Sequence, residues 1–72
     1  MTYTYNNKSI ELNTQSEFSV FCDQIKKLMS KAYENHDLEN GDMYAKILVD
    51  VQQLAINSLN ESDKMTFIAC SL

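Results

Sequence analysis

The sequence predicts a small α+β domain: an N-terminal β-hairpin, an antiparallel hairpin of two long helices, and a short C-terminal helix. Three observations predict this fold. Residues 2–12 alternate as strands do, two long segments carry apolar residues at helical spacing, and the segment between them contains the single glycine. All 72 residues are assigned to one domain. The alternative is an all-α helical hairpin that dimerises and has an irregular N-terminus.

The N-terminal hairpin is predicted over residues 2–12, where tyrosine, threonine and isoleucine favour strands. With a two-residue turn at Asn7 and Lys8, Tyr5 would lie opposite Ile10. A lone hairpin is not stable in water, so its apolar face is expected to pack on a helix. That face comprises Tyr3 (opposite Leu12), Tyr5, Ile10 and Leu12.

The first helix is predicted over residues 15–34. Thr14 and Glu17 have the spacing of a capping box, in which each side chain accepts a hydrogen bond from a free backbone N–H. An apolar stripe follows at helical spacing. It comprises Phe18, Phe21, Cys22, Ile25, Leu28, Met29, Ala32 and Tyr33.

The second helix, predicted over residues 42–59, is the longest apolar-periodic segment, and the rest of the chain is expected to pack around it. One face forms the core. A second flank, Ala45, Val49 and Ile56, stands apart from the first helix and needs a cover. Residues 35–41 are predicted as the connecting loop, and residues 62–71 as a short helix that covers this flank unless a second subunit does.

Composition excludes several classes of function. The net charge of −4 and the absence of arginine disfavour binding to nucleic acid or to an anionic membrane surface. Two cysteines outside any CxxC pair do not make a disulfide scaffold, and both are expected to be buried. With no membrane span and no secretory signal recognised, a cytoplasmic location is expected.

The sequence predicts no catalytic, cofactor-binding or metal site. His36 is the single histidine and lies in an acidic segment, but a calcium loop aligned on Gly41 would place Leu38 and Ile47 at ligand positions. Cys22 and Cys70 belong to apolar stripes away from His36, so no nucleophilic dyad is expected. We therefore predict that the protein is not an enzyme and uses no cofactor.

The principal functional hypothesis is a small acidic protein-interaction module, a homodimer that regulates or inhibits another protein. Small acidic proteins of phages and mobile elements that block host machinery offer an analogy. A 72-residue chain has a limited core, which favours oligomers, and tyrosines often serve interfaces. The predicted interface comprises Ala45, Val49, Ile56, Tyr3 and Tyr5.

Two alternatives belong to other functional classes. One is a nucleic-acid-associated regulator that uses the lysine edge of the first helix, Lys26, Lys27 and Lys31. The other is a small metal-binding protein or enzyme at the His36 acidic segment.

Overall fold

A computed structural model describes residues 1–71 and confirms the predicted α+β architecture. Leu72, the last residue of the predicted domain, lies outside the described residues. An antiparallel two-stranded hairpin precedes two long packed helices and a shorter third one. Over residues 1–71 the elements are β1 (Thr2–Tyr5), β2 (Lys8–Glu11), α1 (Gln15–Glu34), α2 (Leu38–Ser58) and α3 (Glu61–Ser71).

The hairpin turns at Asn6 and Asn7, one residue earlier than predicted. Both asparagines have positive φ, 48° and 63°, as a two-residue type I′ turn requires. Asparagine tolerates this conformation better than lysine does, which is why the predicted turn at Asn7 and Lys8 is wrong. Tyr3 therefore pairs with Ile10. Because the pairing shifts by two residues, each side chain keeps its predicted face.

The start of α1 has the predicted capping box. The Thr14 hydroxyl accepts a hydrogen bond from the Glu17 backbone N–H at 3.2 Å, and the Glu17 carboxylate accepts one from the Thr14 N–H at 3.0 Å. The same carboxylate also accepts the Asn13 N–H at 3.1 Å. These bonds satisfy backbone donors that a helix N-terminus leaves unpaired.

The connection between α1 and α2 is shorter than predicted and occupies only residues 35–37. The Asp37 N–H donates to Ala32 O at 2.8 Å and the His36 N–H to Tyr33 O at 3.0 Å, which is the Schellman pattern. His36 takes the left-handed position of that motif, with φ 59°. Asp37 then caps α2 by accepting the Asn40 N–H at 3.3 Å.

Gly41 lies inside α2, so its assignment to a loop was wrong. A Cβ at this position would lie 2.4 Å from Cε1 of Tyr33, closer than real Cβ contacts allow. The Tyr33 hydroxyl is held by donating to Asp42 at 2.9 Å. This glycine therefore lets a ring on α1 approach the backbone of α2, and it does not serve a turn.

The core is centred on α1, although the sequence placed α2 at the centre. Helix α2 packs along α1, and α3 also packs mainly against α1, with Phe67 edge-on to Phe18 at 6.2 Å between ring centroids. The rings of Tyr3 and Tyr5 pack on Phe21 of α1. The buried core comprises Leu12, Phe18, Phe21, Cys22, Ile25, Ile47, Val51, Ala55 and Phe67.

Replacing His36 by glycine is expected to stabilise the fold by about 1 kcal/mol, because glycine adopts positive φ without the steric cost of a Cβ atom. Urea unfolding followed by circular dichroism measures the change. His36→Ala is the matched control: it removes the imidazole but keeps Cβ, and it should give no such gain. Equal stabilisation by both variants would contradict the left-handed assignment.

Candidate functional site

The residues suggested for catalysis or metal binding are not brought together. Cys22 is buried in the middle of α1, and His36 follows the end of that helix, roughly 20 Å further along its axis. Cys70 lies on α3. Among residues 1–71 no group of three or more histidine, cysteine or acidic side chains could hold a metal ion.

The two cysteines differ in environment. Cys22 is fully buried, and this burial raises the pKa of its thiol. Cys70 is exposed, so the expectation that both thiols are buried was wrong for this one. The reason is that among the described side chains of α3 only Phe67 is buried. The rest of the apolar stripe on this helix does not reach the core.

Helix α2 carries an uncovered apolar line, which we call the α2 stripe: Leu38, Ala45, Val49 and Ile56. Leu38 is 64% exposed and Val49 57% exposed, while Ala45 and Ile56 are half-buried. Their spacings of seven, four and seven residues place them along one side of the helix. Sequence reasoning missed Leu38, which it assigned to the loop. Asp37 as a capping residue could have revealed it.

Helix α3 does not cover the α2 stripe. It packs mainly against α1 and makes only slight contact with α2. Val49 consequently remains exposed in the part of the chain that the structure describes. The sequence left open whether the third helix or a second subunit covers this flank. The third helix does not cover Val49.

The two tyrosines of the predicted interface lie elsewhere. Their rings stack at 6.0 Å between centroids and pack against Phe21, Tyr5 at 5.3 Å and Tyr3 at 6.1 Å. Burial, and then the charge of Asp50, raise the pKa of Tyr3. The α2 stripe lies on the side of α2 away from the buried residues of that helix, whereas both tyrosines pack on α1. The tyrosines and the α2 stripe therefore belong to different surfaces.

A groove runs between β2 and the outer side of α1, and sequence reasoning did not predict it. It encloses about 360 Å³ and is mostly apolar. Val20, on its helical wall, is 56% exposed. This β2 groove exists because the hairpin overhangs α1. That packing is a tertiary feature, and no local sequence pattern predicts it. Its principal lining residues are Ile10, Glu11, Leu12, Glu17, Val20 and Phe21.

The lysine edge of α1 is present as predicted. Lys26, Lys27 and Lys31 surround Ser30 in a shallow groove on the helix surface, together with Glu34. The glutamate places a negative charge within the basic surface. Three lysines and one glutamate make a weakly basic patch on a protein whose net charge is −4.

Comparison with protein-family models, with curated proteins and with solved structures finds no match to this chain. Function is therefore inferred from the surfaces of this protein alone. No helix of the described residues is long and apolar enough to cross a membrane.

A single thiol of the folded protein should react rapidly with Ellman's reagent at neutral pH. Cys70 is exposed, whereas burial both shields Cys22 and disfavours its reactive thiolate. Cys70→Ser should abolish the rapid reaction, and denaturant should release the Cys22 thiol. Rapid reaction of both cysteines in the native protein would contradict the burial of Cys22.

Proposed function

We propose that this chain is a non-catalytic protein-interaction module, which pairs with a second copy through the α2 stripe and regulates or inhibits another protein in the cytoplasm. The observation that carries the proposal is the α2 stripe itself. Leu38 and Val49 stand exposed on it while α3 packs against α1. An exposed apolar line on a helix is typical of a surface that binds another helix.

The spacing of the α2 stripe suits a second copy. Alternating intervals of seven and four residues approximate the heptad repeat of packed helices. In an antiparallel pair related by a twofold axis, Leu38 would face Ile56 of the partner subunit, and Ala45 would face Val49 of the partner subunit. Each apolar side chain then meets another apolar side chain, and the small Ala45 lets the helices approach closely.

Apolar burial would oppose the entropic cost of association. Full burial of a valine or leucine side chain contributes about 1.5 to 3 kcal/mol, and Leu38 and Val49, each more than half exposed, would contribute part of this twice about a twofold axis. The accessible surface of 4743 Å² is close to the roughly 4,600 Å² expected for a monomer of this mass. The subunit therefore needs no partner to bury its own core. Variants of the α2 stripe should remain folded.

The residues beside the α2 stripe suit the rim of a protein interface. Asp42 and Lys46 border the α2 stripe and carry charges of opposite sign, which would remain solvated at the rim of an interface.

Light scattering of the wild-type protein should give twice the chain mass of 8.3 kDa. Val49→Glu should give a folded monomer, because a carboxylate would be desolvated at the centre of the contact. Val20→Glu is the matched control: Val20 is 56% exposed and Val49 57%, but Val20 lies on α1 and should leave the dimer intact.

A wild-type mass of one chain would overturn the dimer. A dimer that survives Val49→Glu but not Val20→Glu would place the contact on α1 instead. Circular dichroism of each variant shows that the fold is retained, so that loss of the dimer is not loss of structure.

A further inference from the structure

We infer that the outer edge of β2 captures an extended, basic and apolar segment of a partner protein, which adds to the hairpin as a third strand. The inference rests on the proposed function in one respect, that the chain acts by binding another protein. It does not involve the α2 stripe, which is a different surface of the molecule.

The register of the hairpin determines which backbone N–H and C=O groups of β2 point away from β1. The Leu12 N–H donates to Met1 O at 2.9 Å. Since hydrogen-bonded and non-hydrogen-bonded pairs alternate in an antiparallel ladder, Ile10 and Lys8 also bond toward β1. The N–H and C=O groups of Ser9 and Glu11 then point away from β1. Within residues 1–71 no strand pairs with them.

The β2 groove lies beside this edge and offers an apolar floor. Ile10 and Leu12 of the hairpin form one wall, and Val20 and Phe21 of α1 form the other. An extended segment hydrogen-bonded to Ser9 and Glu11 would direct alternate side chains into this groove. Val20, exposed in the free chain, would be covered by them. The groove therefore fits small or medium apolar side chains at every second position.

Two carboxylates beside the edge favour a basic segment over an acidic one. Glu11 lies on the outer face of the hairpin, where it forms an ion pair with the Met1 ammonium at 3.4 Å, and Glu17 lines the groove. Hydrogen bonds from the Thr2 hydroxyl and the Asn13 amide hold the pKa of Glu11 below its usual range. Backbone N–H groups of Asn13 and Thr14 do the same for the pKa of Glu17. Both carboxylates are thus anionic at neutral pH, and lysine or arginine would pair with them.

The same charges argue against a second copy at this edge. Antiparallel pairing of two β2 strands about Ile10 would place both Glu11 carboxylates on one face of the new sheet, with no added cation between them. Strand β2 is also only four residues long, and it carries Lys8 and Glu11. Short charged edges resist self-association, whereas a complementary strand can still pair with them.

The probe is a capped octapeptide that alternates valine with threonine and lysine, Thr-Val-Lys-Val-Thr-Val-Lys-Val, added to the full chain at up to millimolar concentration. The readout is amide hydrogen exchange of individual residues by NMR. Exchange of the Ser9 and Glu11 amides should slow at least tenfold at saturation. The Thr2 and Thr4 amides, on the outer edge of β1, are the internal control and should not change.

Two variants locate the groove. Val20→Lys should weaken binding of the octapeptide about tenfold or more, because it places a charge where the valines of the peptide would lie. Met65→Lys is the control: it places the same charge at an exposed apolar residue of α3, outside both proposed surfaces, and should bind as the wild type does. A peptide with glutamate in place of lysine should bind at least tenfold more weakly than the original.

The inference is overturned if the Ser9 and Glu11 amides are not protected, if the Thr2 and Thr4 amides are protected instead, or if Met65→Lys weakens binding as much as Val20→Lys. Its failure is distinguishable from failure of the dimer. The light-scattering mass responds to Val49 and not to Val20, whereas peptide protection responds to Val20 and not to Met65.

Discussion

The fold depends on two phenylalanines one turn apart on α1. Phe18 and Phe21 are buried almost completely, at 0% and 2% exposure. Phe67 packs edge-on against Phe18 and thereby positions α3, while the rings of both hairpin tyrosines pack against Phe21. In a chain too short for a deep core, aromatic rings supply the largest apolar area per residue. A single helix thus organises elements from both ends of the sequence.

This arrangement determines which surfaces stay open. Because Phe67 packs against Phe18, α3 lies against α1 and does not cover the second flank of α2. Val49 on that flank therefore stays exposed. Because the tyrosines bind to Phe21, the hairpin overhangs the outer side of α1 and leaves the β2 groove beneath its edge. One surface presents a helical apolar line and the other presents strand backbone. They are therefore suited to partners of different geometry.

Short-range sequence patterns correctly predicted features that depend only on neighbouring residues. The Thr14–Glu17 capping box marks the start of α1, and alternation marks the faces of the hairpin. The hairpin turn and the start of α2 were local signals that were misread, whereas the other errors were tertiary in origin. Gly41 indicated a loop in the sequence, but it is a helical residue that the Tyr33 ring of α1 approaches closely. The sequence placed Val49 on a flank apart from α1 but left open whether the third helix covers it. The β2 groove depends on how the hairpin sits on α1 and had no sequence signal.

The most direct test of the central claim, that the flank left open by α3 is a contact between copies, is an isotope-filtered NOE measurement on mixed labelled and unlabelled chains. We expect intermolecular NOEs from the Val49 methyl groups to Ala45 of the partner subunit, and from Leu38 to Ile56 of the partner subunit. Intermolecular NOEs that involve Val20 or Met65 but not Val49 would contradict it, as would their complete absence.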